Sequence, residues 1–167
     1  CNKIDLSQHI FLVFLRRCMV SCVIAMAPDP TRNKVVKTVS CPGLKNGMNY
    51  VQLGDSDLVV SRVCMGTMTF GTQCDKKEAF TIMDKAYDHG VNFYDTAELY
   101  PVPPEAKLAG ITEEWVGEWM QTKPRDSIIL ATKVAGAASG WFVPPIRHGL
   151  TAIDSFHIER AIEESLK

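Results

Sequence analysis

The chain has 167 residues, the length of about one domain, and its 46% hydrophobic and 22% charged residues are ordinary for a globular protein. Its 18 basic and 19 acidic side chains give a net charge of -1, so nothing in the charge balance favours nucleic acid or an anionic membrane surface as the main partner. The six cysteines form no C-x-x-C pair and have no histidine at zinc-finger spacing, so the sequence predicts no metal site and indicates reduced thiols.

The first 47 residues differ from the rest in composition, with seven basic and two acidic side chains. Neither of their apolar runs approaches the about 20 residues that span a bilayer. We interpret residues 1–47 as a leader or linker: an organelle transit peptide, translated untranslated sequence, or a disordered tail. The expected location is therefore cytoplasmic, or a plastid or mitochondrion if the leader is a transit peptide. Because the chain begins with Cys1, we expect an open-ended sequence.

Regular patterning begins near residue 48 with two short apolar runs, residues 50–53 and 58–60, on either side of the turn signal at residues 54–57. This pattern predicts a β-hairpin. Residues 63–65 then form a short apolar run that ends at Gly66, which predicts a buried strand.

Helix signals come next. Asp75 and Glu78 have the spacing of a capping box, and apolar residues recur at helical spacing as far as Gly90, the expected left-handed stop. Residues 91–95 read as a strand, and a proline-rich loop follows at residues 101–104.

The last third of the chain repeats this alternation. Thr112 is expected to cap a second helix, whose apolar face includes Trp115 and Trp119. Residues 127–134 predict a third strand, and Ser155 opens a third helix.

The order is therefore a hairpin followed by β-α-β-α-β-α, which favours parallel strands with right-handed crossovers. Two folds compete, a doubly wound sheet and a (β/α)₈ barrel. Residues 66–71 do not match the G-x-G-x-x-G that a nucleotide-binding doubly wound sheet carries after its first strand. This mismatch weakens the case for a dinucleotide-binding sheet without excluding other doubly wound folds. A full barrel takes about 250 residues, so a barrel in this chain would be partial, with about three βα units.

Four motifs in chain order resemble the aldo-keto reductase family. They are residues 53–71, residues 90–100, residues 131–134 and residues 164–167. The loop at residues 100–104 is similar to the corresponding loop of a bacterial and plant branch of the family, which is related to the potassium-channel β subunits. The resemblance implies that residues 48–167 are part of a (β/α)₈ TIM barrel. It also implies an NADPH-dependent oxidoreductase that reduces aldehydes or ketones to alcohols.

The resemblance further implies catalytic roles for Asp95, Tyr100 and Lys133, three members of the family's Asp-Tyr-Lys-His tetrad. Tyr100 would donate the proton that the carbonyl oxygen needs as it gains negative charge. A nearby ammonium group favours the phenolate, which gives Lys133 its role, and Asp95 would hold Lys133. The family's histidine lies on the strand after the third helix, and the chain's four histidines lie in other contexts.

The cofactor expected from the resemblance is NADPH. Its nicotinamide end would lie near Gly66, Thr67, Met68 and Asp95. The expected partner is a small-molecule carbonyl substrate, with no nucleic acid and no membrane.

Each residue also has a structural interpretation. Asp95 can be a strand-end turn residue, Tyr100 can pack against Pro101, and Phe70 can belong either to the core or to a substrate pocket. Two alternatives to the enzyme remain open, a non-catalytic cofactor-binding regulatory subunit and an inactive fragment.

Overall fold

A computed structural model of the chain describes residues 23–25, 47–139 and 142–167. Apart from β1 (Val23–Ala25) and Gly47, the predicted leader at residues 1–47 lies outside this part. The boundary at residue 47 and the interpretation of the leader stay predictions.

The predicted hairpin is present and consists of β2 (Tyr50–Gln52) and β3 (Val59–Ser61), paired antiparallel with Val51 opposite Val60. Its turn includes Gly54 at a φ of +59°, a conformation that glycine adopts without steric cost. The Ser56 hydroxyl closes the turn by donating to the Leu53 carbonyl at 2.6 Å.

A second sheet has the strand order β1, β4 (Val63–Gly66), β5 (Phe93–Asp95) and β6 (Ile129–Ala131). The last three strands are parallel, as the alternation of strands and helices predicts. β6 is shorter than the predicted strand at residues 127–134: a 3₁₀ turn at Arg125–Ser127 delays its start, and the strand ends at Ala131. β1 pairs antiparallel with β4, and the sequence patterning did not predict this strand.

The first helix, α1 (Lys76–Asp88), confirms the predicted capping box. The Asp75 carboxylate accepts the Glu78 N–H at 2.8 Å, and the Glu78 carboxylate accepts the Asp75 N–H at 3.3 Å. The helix ends at His89, and Gly90 follows at a φ of +89°, so the predicted left-handed stop is also confirmed.

The predicted cap of the second helix is wrong. α2 (Ile111–Met120) begins after Gly110, which is left-handed with a φ of +88° and makes no side-chain capping bond. Thr112 instead lies inside the first turn, fully buried, and its hydroxyl donates to the Phe70 carbonyl at 2.8 Å. The hydroxyl is therefore used in a tertiary contact and not in a local cap.

The third helix, α3 (Ser155–Ser165), begins where it was predicted. The capping side chain is Asp154, whose carboxylate accepts the His157 N–H at 2.9 Å.

The two faces of the parallel sheet bury different sets of side chains. One face packs against the helices, and there the Tyr94 and Trp119 rings lie 4.9 Å apart between centroids. This helix-side core also settles Phe70 as a core residue, since it is 1% exposed there. On the other face, Cys64 and Phe93 pack against Val60 of the hairpin.

Side chains alternate between faces along a strand, so Asp95 lies on the same face as Phe93, at the carboxyl end of β5. The hairpin and Asp95 are thus on the same side of the sheet. The fold leaves the carboxyl ends of its parallel strands as the place where polar side chains gather.

Candidate active site

The three parallel strands end in register. Gly66 pairs with Asp95, and Asp95 pairs with Ala131, so the residues that follow each strand are neighbours. The pairing continues beyond the strands, because the Thr96 N–H donates to the Ala131 carbonyl at 2.9 Å. Side chains from three separate motifs are therefore brought to one edge of the sheet.

Lys133 contacts the other polar groups at this edge of the sheet. Its ammonium group forms an ion pair with the Asp95 carboxylate, donates to the Tyr100 hydroxyl at 3.2 Å and donates to the Thr96 carbonyl at 2.8 Å. The same nitrogen lies 4.8 Å from the centroid of the Tyr100 ring. The structure thus brings all three predicted catalytic residues together, and their roles in catalysis stay predictions.

The cluster is accessible. The Lys133 side chain is 47% exposed, the Asp95 side chain is 21% exposed and Tyr100 is half-buried, so solvent reaches all three residues. A positive charge placed beside a hydroxyl stabilises negative charge that develops on its oxygen. The arrangement can donate a proton and stabilise the anion that remains.

Cys64 lies under the same edge of the sheet, and its thiol is uncharged, unlike the ion pair of Lys133 and Asp95. Burial, and to a smaller extent the Asp95 charge, raise the pKa of its thiol to about 12, although the Lys133 charge opposes this rise. A thiol with this pKa stays protonated near neutrality and is a poor nucleophile. Cys64 is thus a packing residue beneath the site.

The predicted cofactor residues fit a nicotinamide ring in part. Gly66 has no side chain to block a close approach, and Met68 is 36% exposed, so it offers an apolar surface. Thr67 is fully buried, and both its N–H and its hydroxyl donate to the Asp95 carbonyl, at 3.1 and 2.9 Å. Thr67 therefore holds the Asp95 backbone in place, while Gly66 and Met68 remain available for contact.

Sequence reasoning missed two residues next to the cluster, Glu98 and Arg147. The Glu98 side chain is 7% exposed and the Arg147 side chain 13% exposed, and they form a bidentate ion pair at 2.7 and 2.8 Å. This pairing raises the pKa of the Arg147 guanidinium. Glu98 lies inside the motif at residues 90–100, which could have indicated it, whereas Arg147 follows an irregular loop with no such signal.

Two of the described histidines, His89 and His157, make ring contacts away from the cluster of Asp95, Tyr100 and Lys133. The His89 ring contacts the Lys85 carbonyl at 2.7 Å, and the His157 ring contacts Asp154 at 2.9 Å. Over residues 23–25, 47–139 and 142–167, no group of three or more His, Cys, Asp or Glu side chains is placed to hold a metal ion.

Parallel strands that alternate with helices, with the polar cluster at their carboxyl ends, are the arrangement of a (β/α)₈ barrel enzyme. The profile of the aldo/keto reductase family matches residues 62–167. The chain belongs to the aldo-keto reductase family. The predicted family and the predicted fold class are confirmed, and the described residues form the hairpin and about three βα units of the barrel.

Individual relatives agree with this assignment. The chain is 41% identical over 122 residues to the uncharacterized oxidoreductase YrpG of Bacillus subtilis, a match that covers 72% of this chain and 36% of YrpG. It is 45% identical over 95 residues to norsolorinic acid reductase B of Dothistroma septosporum, which covers 52% of this chain and 22% of that protein.

A solved structure shows the same fold. The holo form of the aldo-keto reductase AKR11C1 from Bacillus halodurans superposes with a TM-score of 0.56 at 34% identity, over 71% of this chain and 35% of that one. The chain thus spans about a third of the length of YrpG and of AKR11C1, and 22% of norsolorinic acid reductase B. In the part that the structure describes, no helix is both long enough and apolar enough to cross a membrane.

Proposed function

We propose that the protein is an oxidoreductase that reduces aldehydes or ketones to alcohols with NADPH, and that Tyr100 is its proton donor. The observation that carries the proposal is the contact of one ammonium group, that of Lys133, with both the Asp95 carboxylate and the Tyr100 hydroxyl. Because the chain spans about a third of its relatives, the proposal concerns a protein with the whole barrel.

The relatives give independent support. One of them is named a reductase, another an oxidoreductase, and the superposed structure is described as a holo form. These names support a reduction that uses a bound cofactor. The choice of NADPH over NADH rests on the family resemblance.

Bound NADPH would supply the hydride, and the residues of this chain supply the rest of the chemistry. Tyr100 would hydrogen bond to the carbonyl oxygen and give up its proton as negative charge grows there. Lys133 would stabilise the phenolate that is left, and Asp95 would keep Lys133 within reach of it. Gly66 and Met68 would bound the nicotinamide end of the site, beside Asp95.

The test is a whole-barrel form, in which the 167 residues are joined to the part of YrpG beyond its match. Oxidation of NADPH is followed with a panel of aldehydes and ketones. We expect turnover, and we expect Tyr100→Phe to lower kcat by about 10²- to 10⁴-fold, the usual contribution of a general acid. The Kd for NADPH, measured by fluorescence, should be unchanged in this variant.

The matched control is Tyr87→Phe, which also removes one phenolic hydroxyl, here one that donates to Ser127 on the helix side of the sheet at 2.8 Å. It should leave kcat within about twofold, as expected away from the site. If the whole-barrel form binds NADPH but shows no turnover that Tyr100→Phe abolishes, the proposed enzyme activity is contradicted. That result would favour a cofactor-binding regulatory subunit.

A further inference from the structure

Glu98 holds the backbone at Lys133 and at Ala135, two residues further along the chain. Its N–H donates to the Lys133 carbonyl at 3.3 Å, and its carboxylate accepts the Ala135 N–H at 2.6 Å. One residue thus fixes the course of the backbone from Lys133 to Ala135.

Glu98 also belongs to the turn that carries Tyr100. The Tyr100 N–H donates to the Ala97 carbonyl at 3.0 Å, so residues 97–100 form one tight turn with Glu98 inside it. A contact that fixes Glu98 therefore constrains the proposed proton donor and the proposed amine relative to each other.

Arg147 fixes Glu98 in turn. Its two terminal nitrogens bind the two carboxylate oxygens at 2.7 and 2.8 Å, and planar bidentate pairs of this kind are directional as well as strong. Both side chains are largely buried, so the pair is little screened by solvent.

The backbone at Arg147 is itself held in an uncommon conformation. Arg147 and the following His148 have φ values of +47° and +55°, in the left-handed region that side-chain-bearing residues adopt at a cost. Such conformations persist where surrounding contacts over-determine them. Here the contacts include the ion pair to Glu98 and the turn hydrogen bond from the Leu150 N–H to the Arg147 carbonyl at 2.9 Å.

We propose that the Glu98–Arg147 pair is a positioning unit that sets the place of the Lys133 ammonium relative to Asp95 and Tyr100. Neither Glu98 nor Arg147 takes part in proton transfer. The catalytic consequence rests on the function proposed above, whereas the positioning itself is a property of the chain that can be measured without turnover.

The first measurement is competitive acetylation of lysines in the 167-residue chain, read by mass spectrometry. In Glu98→Gln, Lys133 should react about two- to tenfold faster, the factor that corresponds to about one lost hydrogen bond. Arg147→Lys, which keeps the charge and loses the bidentate geometry, should act in the same direction and serves if Glu98→Gln does not fold. Circular dichroism checks the fold of each variant.

The matched control is Glu118→Gln, which breaks an ion pair elsewhere in the chain, that of Lys76 with Glu118 at 2.7 Å, between α1 and α2. It should speed the acetylation of Lys76 and leave Lys133 unchanged. An unchanged rate at Lys133 in the folded Glu98 and Arg147 variants would overturn the proposal. A general increase at all lysines would also overturn it, because the pair would then support the fold without positioning Lys133.

The second measurement is kinetic and uses the whole-barrel form. Glu98→Gln should lower kcat about ten- to a hundredfold, as small misplacements of catalytic groups do, with the KM for NADPH unchanged. A rise in KM at constant kcat would overturn the catalytic consequence. If the unaltered whole-barrel form has no turnover, the proposed function fails, and the acetylation rates still decide whether the pair positions Lys133.

Discussion

At the scale of single residues, neighbouring side chains at one edge of the sheet differ sharply in exposure. Lys133 is about half exposed, whereas Cys64, on the same side of the sheet, is 6% exposed. Exposure keeps the Lys133 charge hydrated, and burial disfavours the charged form of Cys64. The candidate site thus combines an accessible ammonium with a thiol that stays neutral.

This difference predicts the reactivity of the two described thiols. Cys74 is partly exposed, and burial raises its pKa as well, whereas the pKa of Cys64 is raised to about 12. Because the thiolate is the reactive form, iodoacetamide at pH 8 should alkylate Cys64 about a hundredfold more slowly than Cys74. Mass spectrometry over a time course measures both rates, and urea should make them equal. Equal rates in the native chain would contradict the burial of Cys64.

At the scale of elements, long-range polar contacts join α1 to α2 and join α2 to the loop that follows β4. Thr112 ties the start of α2 to the Phe70 carbonyl, and Asp84 of α1 accepts the Trp119 indole N–H at 2.9 Å. Asp84 also pairs with Lys123 at 2.7 Å. Helix positions therefore depend on specific hydrogen bonds as well as on apolar packing.

The Thr112 contact predicts a loss of stability. Thr112→Val keeps the shape and removes the donor to the Phe70 carbonyl, which should lower the free energy of unfolding by about 1–3 kcal/mol. Thr122→Val is the control, because the exposed Thr122 hydroxyl makes a similar bond to the Trp119 carbonyl at 2.7 Å. The control should change stability by no more than about 0.5 kcal/mol in urea titrations. Equal losses of unfolding free energy in the two variants would contradict the prediction that the buried Thr112 hydrogen bond stabilises the fold more than the exposed one.

The contacts of Asp84 predict that the free energy of unfolding depends on pH. Hydrogen bonding to Lys123, and then to Trp119, holds the pKa of Asp84 below its ordinary value. The unfolded chain therefore takes up a proton first as the pH falls, so this contribution is present above the unfolded pKa and is lost as the pH drops through the folded pKa. Asp84→Asn should reduce the loss of unfolding free energy between pH 5 and pH 3, measured by urea titration. Asp57→Asn, in the exposed hairpin turn, is the control, and identical pH slopes in all three chains would contradict the prediction.

At the scale of the whole molecule, the described sheet ends at β6, and large apolar side chains are exposed near α3. They include Leu150 at 74%, Phe156 at 63% and Leu166 at 80%. Apolar surface of this kind promotes association, and the free edge of a strand is a template for further pairing.

We therefore predict that the 167-residue chain self-associates as its concentration rises. Sedimentation velocity over a concentration series should show growing species, and a chain with both Phe156→Glu and Leu166→Glu should shift toward the monomer. Exchange of two exposed charged residues, Glu159→Lys and Glu163→Lys, is the control for changes in α3 alone. A monomer at every concentration would contradict this prediction.

Much of the fold could be predicted because its signals are local. The capping box at Asp75 and Glu78 involves residues three apart, and the stop at Gly90 needs only the preceding helical turn. The error at Thr112 has the opposite origin. A threonine near a helix start is a reasonable cap by local rules, but here its partner lies 42 residues away.

The candidate site divides in the same way. By itself, the sequence determined the alternation of strands and helices, because spacing and residue type are local properties of the chain. The three candidate residues Asp95, Tyr100 and Lys133 came from the resemblance of its motifs to the family. Only the tertiary structure decided that one ammonium contacts both other groups, that Phe70 is core, and that Glu98 binds Arg147 across 49 residues. The physical reason is that such contacts depend on strand register and burial, which arise only when distant segments pack together.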